Sequence, residues 1–157
     1  MILALDLATT TGWAWVEECA PRRPFRFGSW RPATTHAESP GAFFALYRNW
    51  LESKILEIGP SEIYYERPHF RGRGATEVCV GLQTRVQELA AHHRIGHGAV
   101  APATVKKHVT GNGRAGKHDV IRAMRERWGL GEDDLPLSAD NEADALAVLA
   151  WAMDMYH

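Results

Sequence analysis

Asp6 stands inside the apolar run ILALDL, residues 2 to 7. An unpaired carboxylate in such a run costs several kcal/mol to bury. The run is bounded by the turn signal ATTTG, so it reads as a central strand followed by a turn. Whatever the chain folds into must bring to this strand a cation, an arginine or a set of backbone N–H groups that satisfies Asp6.

The segments that follow divide by period. WAWVEE (13 to 18) and FRFGSW (25 to 30) read as two short strands joined by the turn APRRP, giving an antiparallel meander with the first strand. From Pro40 the period becomes helical, with Phe44, Tyr47, Leu51, Ile55 and Ile58 on one face and Gly59 and Pro60 as the stop. EIYYE (62 to 66) is a second buried strand, halted by Pro68. The loop HFRGRGAT leads into a helix over 75 to 94 with a Val78, Leu82, Val86, Leu89 stripe. A short strand around GAVAP (98 to 102) precedes a helical turn, a flexible basic loop, and a helix carrying Ile121, Met124 and Trp128. The acidic linker GLGEDDLPLSA leads to a last helix that buries Leu146, Leu149 and either Met153 or Ala150. The predicted architecture is an α/β layer fold: a mixed five-stranded sheet, antiparallel meander plus parallel strands, with helices on both faces.

Glu66 repeats the pattern of Asp6 at the end of IYYE, so two acids interrupt or terminate two strands that the topology places side by side. Near the far end, DNEADALA puts Asp140 and Asp144 four residues apart on one helical face, while Glu142 lies roughly 200° away and points elsewhere. Asp140 suits a helix N-cap. Asp144, embedded among alanines and leucines, has no such excuse. Asp6, Glu66, Asp140 and Asp144 together make an all-oxygen donor set suited to Mg²⁺, with Mn²⁺ as a substitute. Such a site typically holds two ions ~3.5 to 4 Å apart for in-line phosphoryl displacement.

The net charge of −1 hides an uneven distribution. Residues 67 to 127 hold 12 Lys+Arg against 4 Asp+Glu, and residues 128 to 157 hold none against 7. A basic block beside an acidic one fits a polyanion-binding surface next to a cation site, and also fits two solvated faces of opposite sign. Lys106, Lys107, Arg114 and Lys117 surround Gly111, Gly113 and Gly116, a loop whose backbone can approach phosphates. Phe70, flanked by Arg67, Arg71 and Arg73, is placed either to stack on an unpaired base or to anchor its loop. Cys19 and Cys79 form no CxxC pair, and the histidines show no zinc spacing. With 157 residues, one domain spanning 1-157 is expected. No apolar run approaches the ~18 residues of a membrane span and MILAL lacks a basic flank, so a cytoplasmic protein with no membrane partner is expected.

Across nearly its whole length the chain resembles the RuvC family of Holliday junction resolvases, of the ribonuclease H-like fold, and within it a phage or prophage branch. ILALDLATTTGWA resembles the strand with the family's catalytic aspartate, IYYERPHF the strand ending in its glutamate, APATVKKHVTGNGRAGKHDV its basic segment, and NEADALAVLAWA its closing helix. The resemblance implies a Mg²⁺-dependent endonuclease acting on branched DNA as a homodimer, without a nucleotide cofactor. It assigns catalytic roles to Asp6, Glu66 and Asp144, places Lys117 near the scissile phosphate, and makes the 75 to 94 helix the dimer face. The stripe on that helix suits intramolecular packing equally well. One departure matters: the family usually carries an acid or histidine three residues before the last aspartate, where this chain has Asn141. Asp140 or the amide oxygen of Asn141 is left to supply the fourth ligand, with Asp140 preferred.

Rival classes bear on this reading: a flap or branched-DNA nuclease, an RNA-processing ribonuclease H-like nuclease, and an actin-like ATP-binding domain, whose phosphate loop DLATTTG resembles. The last of these needs two such domains. A non-catalytic DNA-binding module would have no use for all four acids.

Overall fold

The computed structural model describes residues 1–17, 25–33, 39–67 and 73–156, excepting the side chains of residues 73–75. In chain order the elements are β1 (Ile2–Asp6), β2 (Thr11–Val16), β3 (Phe25–Trp30), α1 (Pro40–Ile58), β4 (Glu62–Glu66), α2 (Arg73–His93), β5 (Gly96–Val100), α3 (Pro102–Thr110), α4 (Lys117–Trp128) and α5 (Asp140–Tyr156). The strands form one mixed sheet in the order β3-β2-β1-β4-β5. β1 pairs antiparallel with β2, and β2 with β3, whereas β1–β4 and β4–β5 are parallel.

Strand alternation divides the interior into two cores. Leu3, Leu5, Ile63 and Tyr65 pack with Phe43, Tyr47 and Leu51 of α1 and with Leu82, Val86 and Leu89 of α2. Ile2, Ala4 and Tyr64 face the other way, against α5 and the α3–α4 pair. Because successive side chains on a strand point to opposite faces, Asp6 shares the face of Ile2 and Ala4, and Glu66 that of Tyr64. Both acids therefore look toward α5.

Local chemistry accounts for most element ends. Ser39 caps α1, accepting from the Ala42 N–H at 3.1 Å, and Pro40 fits the first turn. Gly59 closes the helix with φ 63°, its N–H donating to the Ile55 carbonyl. Four boundaries and contacts differ from the sequence expectation. The buried stripe of α1 begins at Phe43, and Phe44 turns toward α2, where its ring occupies the space that a side chain on Gly81 would need. β2 runs from Thr11 to Val16 because Gly12 already pairs with Asp6. β5 lies two residues earlier than GAVAP, since Pro102 opens α3. The α2 stripe is spent inside the chain: Leu82, Val86 and Leu89 are fully buried against α1 and the sheet, so they cannot also form a face between two copies.

The last helix exceeds its expected burial. Beyond Leu146, Leu149, Ala150 and Met153, it buries Ala143, Ala145, Ala147, Val148 and Ala152. It lies on β1 and β2 with α3 and α4 packed on its other sides, so it is apolar almost all round.

Candidate active site

Asp6 and Glu66 stand at the carboxyl ends of two neighbouring parallel strands, with Leu5 in register with Tyr65. In open α/β sheets this is the end that receives ligands. α5 brings Asp140 and Asp144 to the same place, and the approach depends on Gly12. Any Cβ at Gly12, the β2 partner of Asp6, would collide with the backbone carbonyl of Asn141. The first turn of α5 thus rests directly on the strand beside Asp6. Thr11, fully buried, holds the preceding turn by donating its hydroxyl to the Ala8 carbonyl at 2.8 Å.

All four carboxylates are partly accessible to solvent. The Asp6 carboxyl is nonetheless pushed well above the usual carboxylate range, chiefly by burial and then by the negative charges of Glu66, Asp144 and Asp140. Lys117 acts in the opposite sense on Asp6, more weakly than any of these acids. As its angular position requires, Glu142 is not among the groups acting on Asp6. Asp140 is the first residue of α5, and its carboxylate accepts from the Lys117 ammonium. Lys117 opens α4 with its side chain 72% exposed, and this hydrogen bond, with the charges of Asp144 and Asp6 adding to it, raises the ammonium's pKa further. The same contacts favour its charged form.

The structure thus brings together Asp6, Glu66, Asp140, Asp144 and Lys117. Lys106, Lys107 and Arg114 occupy the adjoining α3–α4 segment; Lys107 and Arg114 are exposed and Lys106 is partly buried. The connection between these helices is more ordered than the expected flexible loop. Asn112 exchanges hydrogen bonds with the Thr110 hydroxyl, its side chain accepts from Arg114 N–H at 2.9 Å, and Ala115 is buried. Gly116 N–H donates to Asp119 at 3.1 Å, tying the loop to α4. Phe70 and Arg71 lie outside the described residues, as does the side chain of Arg73, the first residue of α2.

Helical spacing alone marks Tyr47 as plain core. Its hydroxyl is fully buried with no hydrogen-bond partner among the described residues, and burial together with the charge of Asp6 drives its pKa far above the ordinary tyrosine range. It is a buried polar atom that feels the charge of Asp6, and nothing in the sequence distinguishes it from the rest of its stripe.

No family model matches the chain. A crossover junction endodeoxyribonuclease RuvC of Desulfitobacterium hafniense is 32% identical over 151 residues, covering 94% of this chain and 88% of the relative. The chain belongs to the RuvC family. It is a nuclease of that family, and the ribonuclease H-like fold expected from the resemblance is the fold observed. The RuvC structure of Thermus thermophilus superposes with a TM-score of 0.77 at 21% identity, covering 98% of this chain and 95% of the other. The T. thermophilus RuvC in complex with a Holliday junction substrate gives 0.76 at 21% identity, over 94% and 88% of the two chains.

Proposed function

We propose that this chain is a Mg²⁺-dependent endodeoxyribonuclease that resolves four-way DNA junctions by paired cuts as a homodimer. The observation that carries the reading is the convergence of Asp6, Glu66, Asp140 and Asp144 at one end of the sheet, with Lys117 beside them. Three carboxylates crowding a fourth is an arrangement that a hard divalent cation relieves, and an all-oxygen donor set suits Mg²⁺ or Mn²⁺.

In this reading Asp6 and Glu66, held on strand ends, and Asp140 and Asp144, held on α5, would bind two ions. Bound there, the ions would offset charge on the scissile phosphate and make water a competent nucleophile at neutral pH. Lys117 draws the phosphate in and holds Asp140 in place. Asp140 is preferred to Asn141 as the fourth ligand because its charge acts on Asp6, whereas Asn141 presses its backbone carbonyl onto Gly12. Lys106, Lys107 and Arg114, with Arg71 and Arg73, contact backbone phosphates, and Phe70 stacks on an unpaired base at the junction centre. The homodimer follows from the substrate, since two opposed strands of a two-fold junction require two sites related by the same symmetry.

The test is to incubate the protein with labelled four-way junction, flap, duplex and RNA–DNA hybrid in Mg²⁺, Mn²⁺ or chelator. Paired cuts confined to the junction and abolished by chelator are expected. Preferential cutting of flaps or hybrids would replace the resolvase reading with one of the rival nucleases. Comparing Asp140→Asn with Asn141→Ala decides the fourth ligand: a larger loss from the asparagine variant would reverse the preference for Asp140. Sedimentation of the protein with junction DNA tests the assembly, and a monomer at micromolar concentration would defeat the paired-cut mechanism.

A further inference from the structure

Away from the carboxylates, Glu52 of α1 and His92 and His93 of α2 bring one ligand atom each to within 4.8 Å of one another. The chain enters β5 just after this pair, at the amino ends of the parallel strands, whereas Asp6 and Glu66 stand at their carboxyl ends. The cluster is therefore separate from the nuclease site. From the sequence, its histidines show no zinc spacing and read as surface or phosphate-contacting groups.

Two observations point to a ligand. His93 Nε2 is buried and lacks a hydrogen-bond partner among the described residues; Glu52 Oε1 stands off at 3.6 Å. A buried polar atom left short of a partner is costly, and such atoms are rare without a reason. The Glu52 carboxylate is also held in orientation. Arg48 donates to its Oε2 at 3.0 Å while also pairing with Glu88, and this leaves Oε1 turned toward the imidazoles. The His92 and His93 rings stand edge to face, with centroids 4.9 Å apart, and His92 opens the cluster to solvent.

We propose that Glu52, His92 and His93 form a site for a borderline transition-metal ion, with Zn²⁺ as the representative, that clips α1 to α2. Two imidazoles and one carboxylate, with a fourth position left for water, match the preferences of Zn²⁺, Ni²⁺ or Cu²⁺ and not those of Mg²⁺. The two sites divide by donor type: oxygen alone at the strand ends, nitrogen with oxygen between the helices. Arg48 takes the outer role of fixing a ligating carboxylate.

The full-length chain in saturating Mg²⁺ is titrated with Zn²⁺ at neutral pH, followed by calorimetry and by NMR of the histidine rings. One Zn²⁺ per chain is expected, with shifts confined to the His92 and His93 rings. Tm should rise by about 5 to 10 °C at free Zn²⁺ a hundredfold above Kd. His93→Gln and Glu52→Gln should each weaken binding by about a hundredfold or more, while Asp6→Asn leaves it unchanged. If His93→Gln unfolds, His92→Gln at the exposed ligand carries the same expectation. Absence of Zn²⁺ binding in Mg²⁺, binding that survives the histidine variants, or binding lost in Asp6→Asn would each overturn the proposal.

Discussion

Gly12 and Asn141 meet backbone to backbone, with no room between them for a single methyl group. This contact sets the height of α5 above the sheet and hence the reach of Asp140 and Asp144 toward Asp6. Gly12→Ala should cost about 1 to 3 kcal/mol, the usual range for overpacking. Because the helix start must lift, cleavage should fall more than tenfold even under conditions where the fold is intact. Urea titration and junction cleavage on the same preparation check this, and a variant with lowered stability but unaltered activity would show that α5 tolerates displacement.

Asp6→Asn should retain fold and junction binding while losing cleavage. It should also change the pH dependence of stability. The Asp6 pKa is raised in the folded chain, so the folded state binds the proton more tightly than the unfolded state does. Its contribution is fully present below the ordinary carboxylate range and is lost as pH rises from there through the raised value. In chelator, wild type should therefore lose stability relative to Asp6→Asn on going from about pH 4 toward neutrality. Added Mg²⁺ should restore the difference at neutral pH. A wild-type-minus-variant difference that is flat with pH would contradict the electrostatic account.

Tyr47→Phe removes a buried hydroxyl that has no partner among the described residues. The variant should be as stable as wild type or more so, by up to about 1 to 3 kcal/mol, the cost of desolvating an unsatisfied polar group. A clear loss of Tm would mean that the hydroxyl is hydrogen-bonded in solution.

Charged residues at Leu82 or Val86 should unfold the chain, not yield a soluble monomer, because both side chains are fully buried. Leu82→Ala alone should cost about 2 to 5 kcal/mol. Val80, on the outer side of the same helix and 45% exposed, should accept glutamate with a change within about 0.5 kcal/mol. Thermal denaturation of these variants separates core from surface on this helix.

Neutralising Lys106, Lys107 and Arg114 together should flatten the salt dependence of DNA binding by roughly one log–log unit for each phosphate that is no longer neutralised. Tm should move little, since two of the three side chains are exposed. An unchanged slope would assign these charges to solvent.

The acids are legible in the sequence because each breaks a local rule: Asp6 and Glu66 interrupt apolar strands, and Asp144 sits in an alanine-rich helix. Their convergence follows from strand order and from the four-residue spacing on α5. The ends of α1 are equally plain, since Ser39, Pro40 and Gly59 act within one turn. What cannot be read there is set by contacts between distant segments. A glycine in ATTTG announces a turn, and nothing local says that a helix near the other end of the chain will lie on it. The Val/Leu stripe of α2 reports an apolar face without naming its partner, and only α1 in place decides between neighbour and second copy. Glu52 joins His92 and His93 from another helix, so no spacing rule along the chain could reveal the group.

The order in which the ribosome delivers these segments has a consequence of its own. Glu66 emerges some 74 residues before Asp140, an interval of several seconds at the ~5 to 20 residues per second of synthesis. Through that interval β1 and β4 can pair, yet the nascent chain carries half of the proposed donor set and no α5 to complete it. On the proposed metal-site reading, hydrolytic competence would be withheld until the last helix docks on Gly12, and a product truncated before α5 would be inert toward DNA.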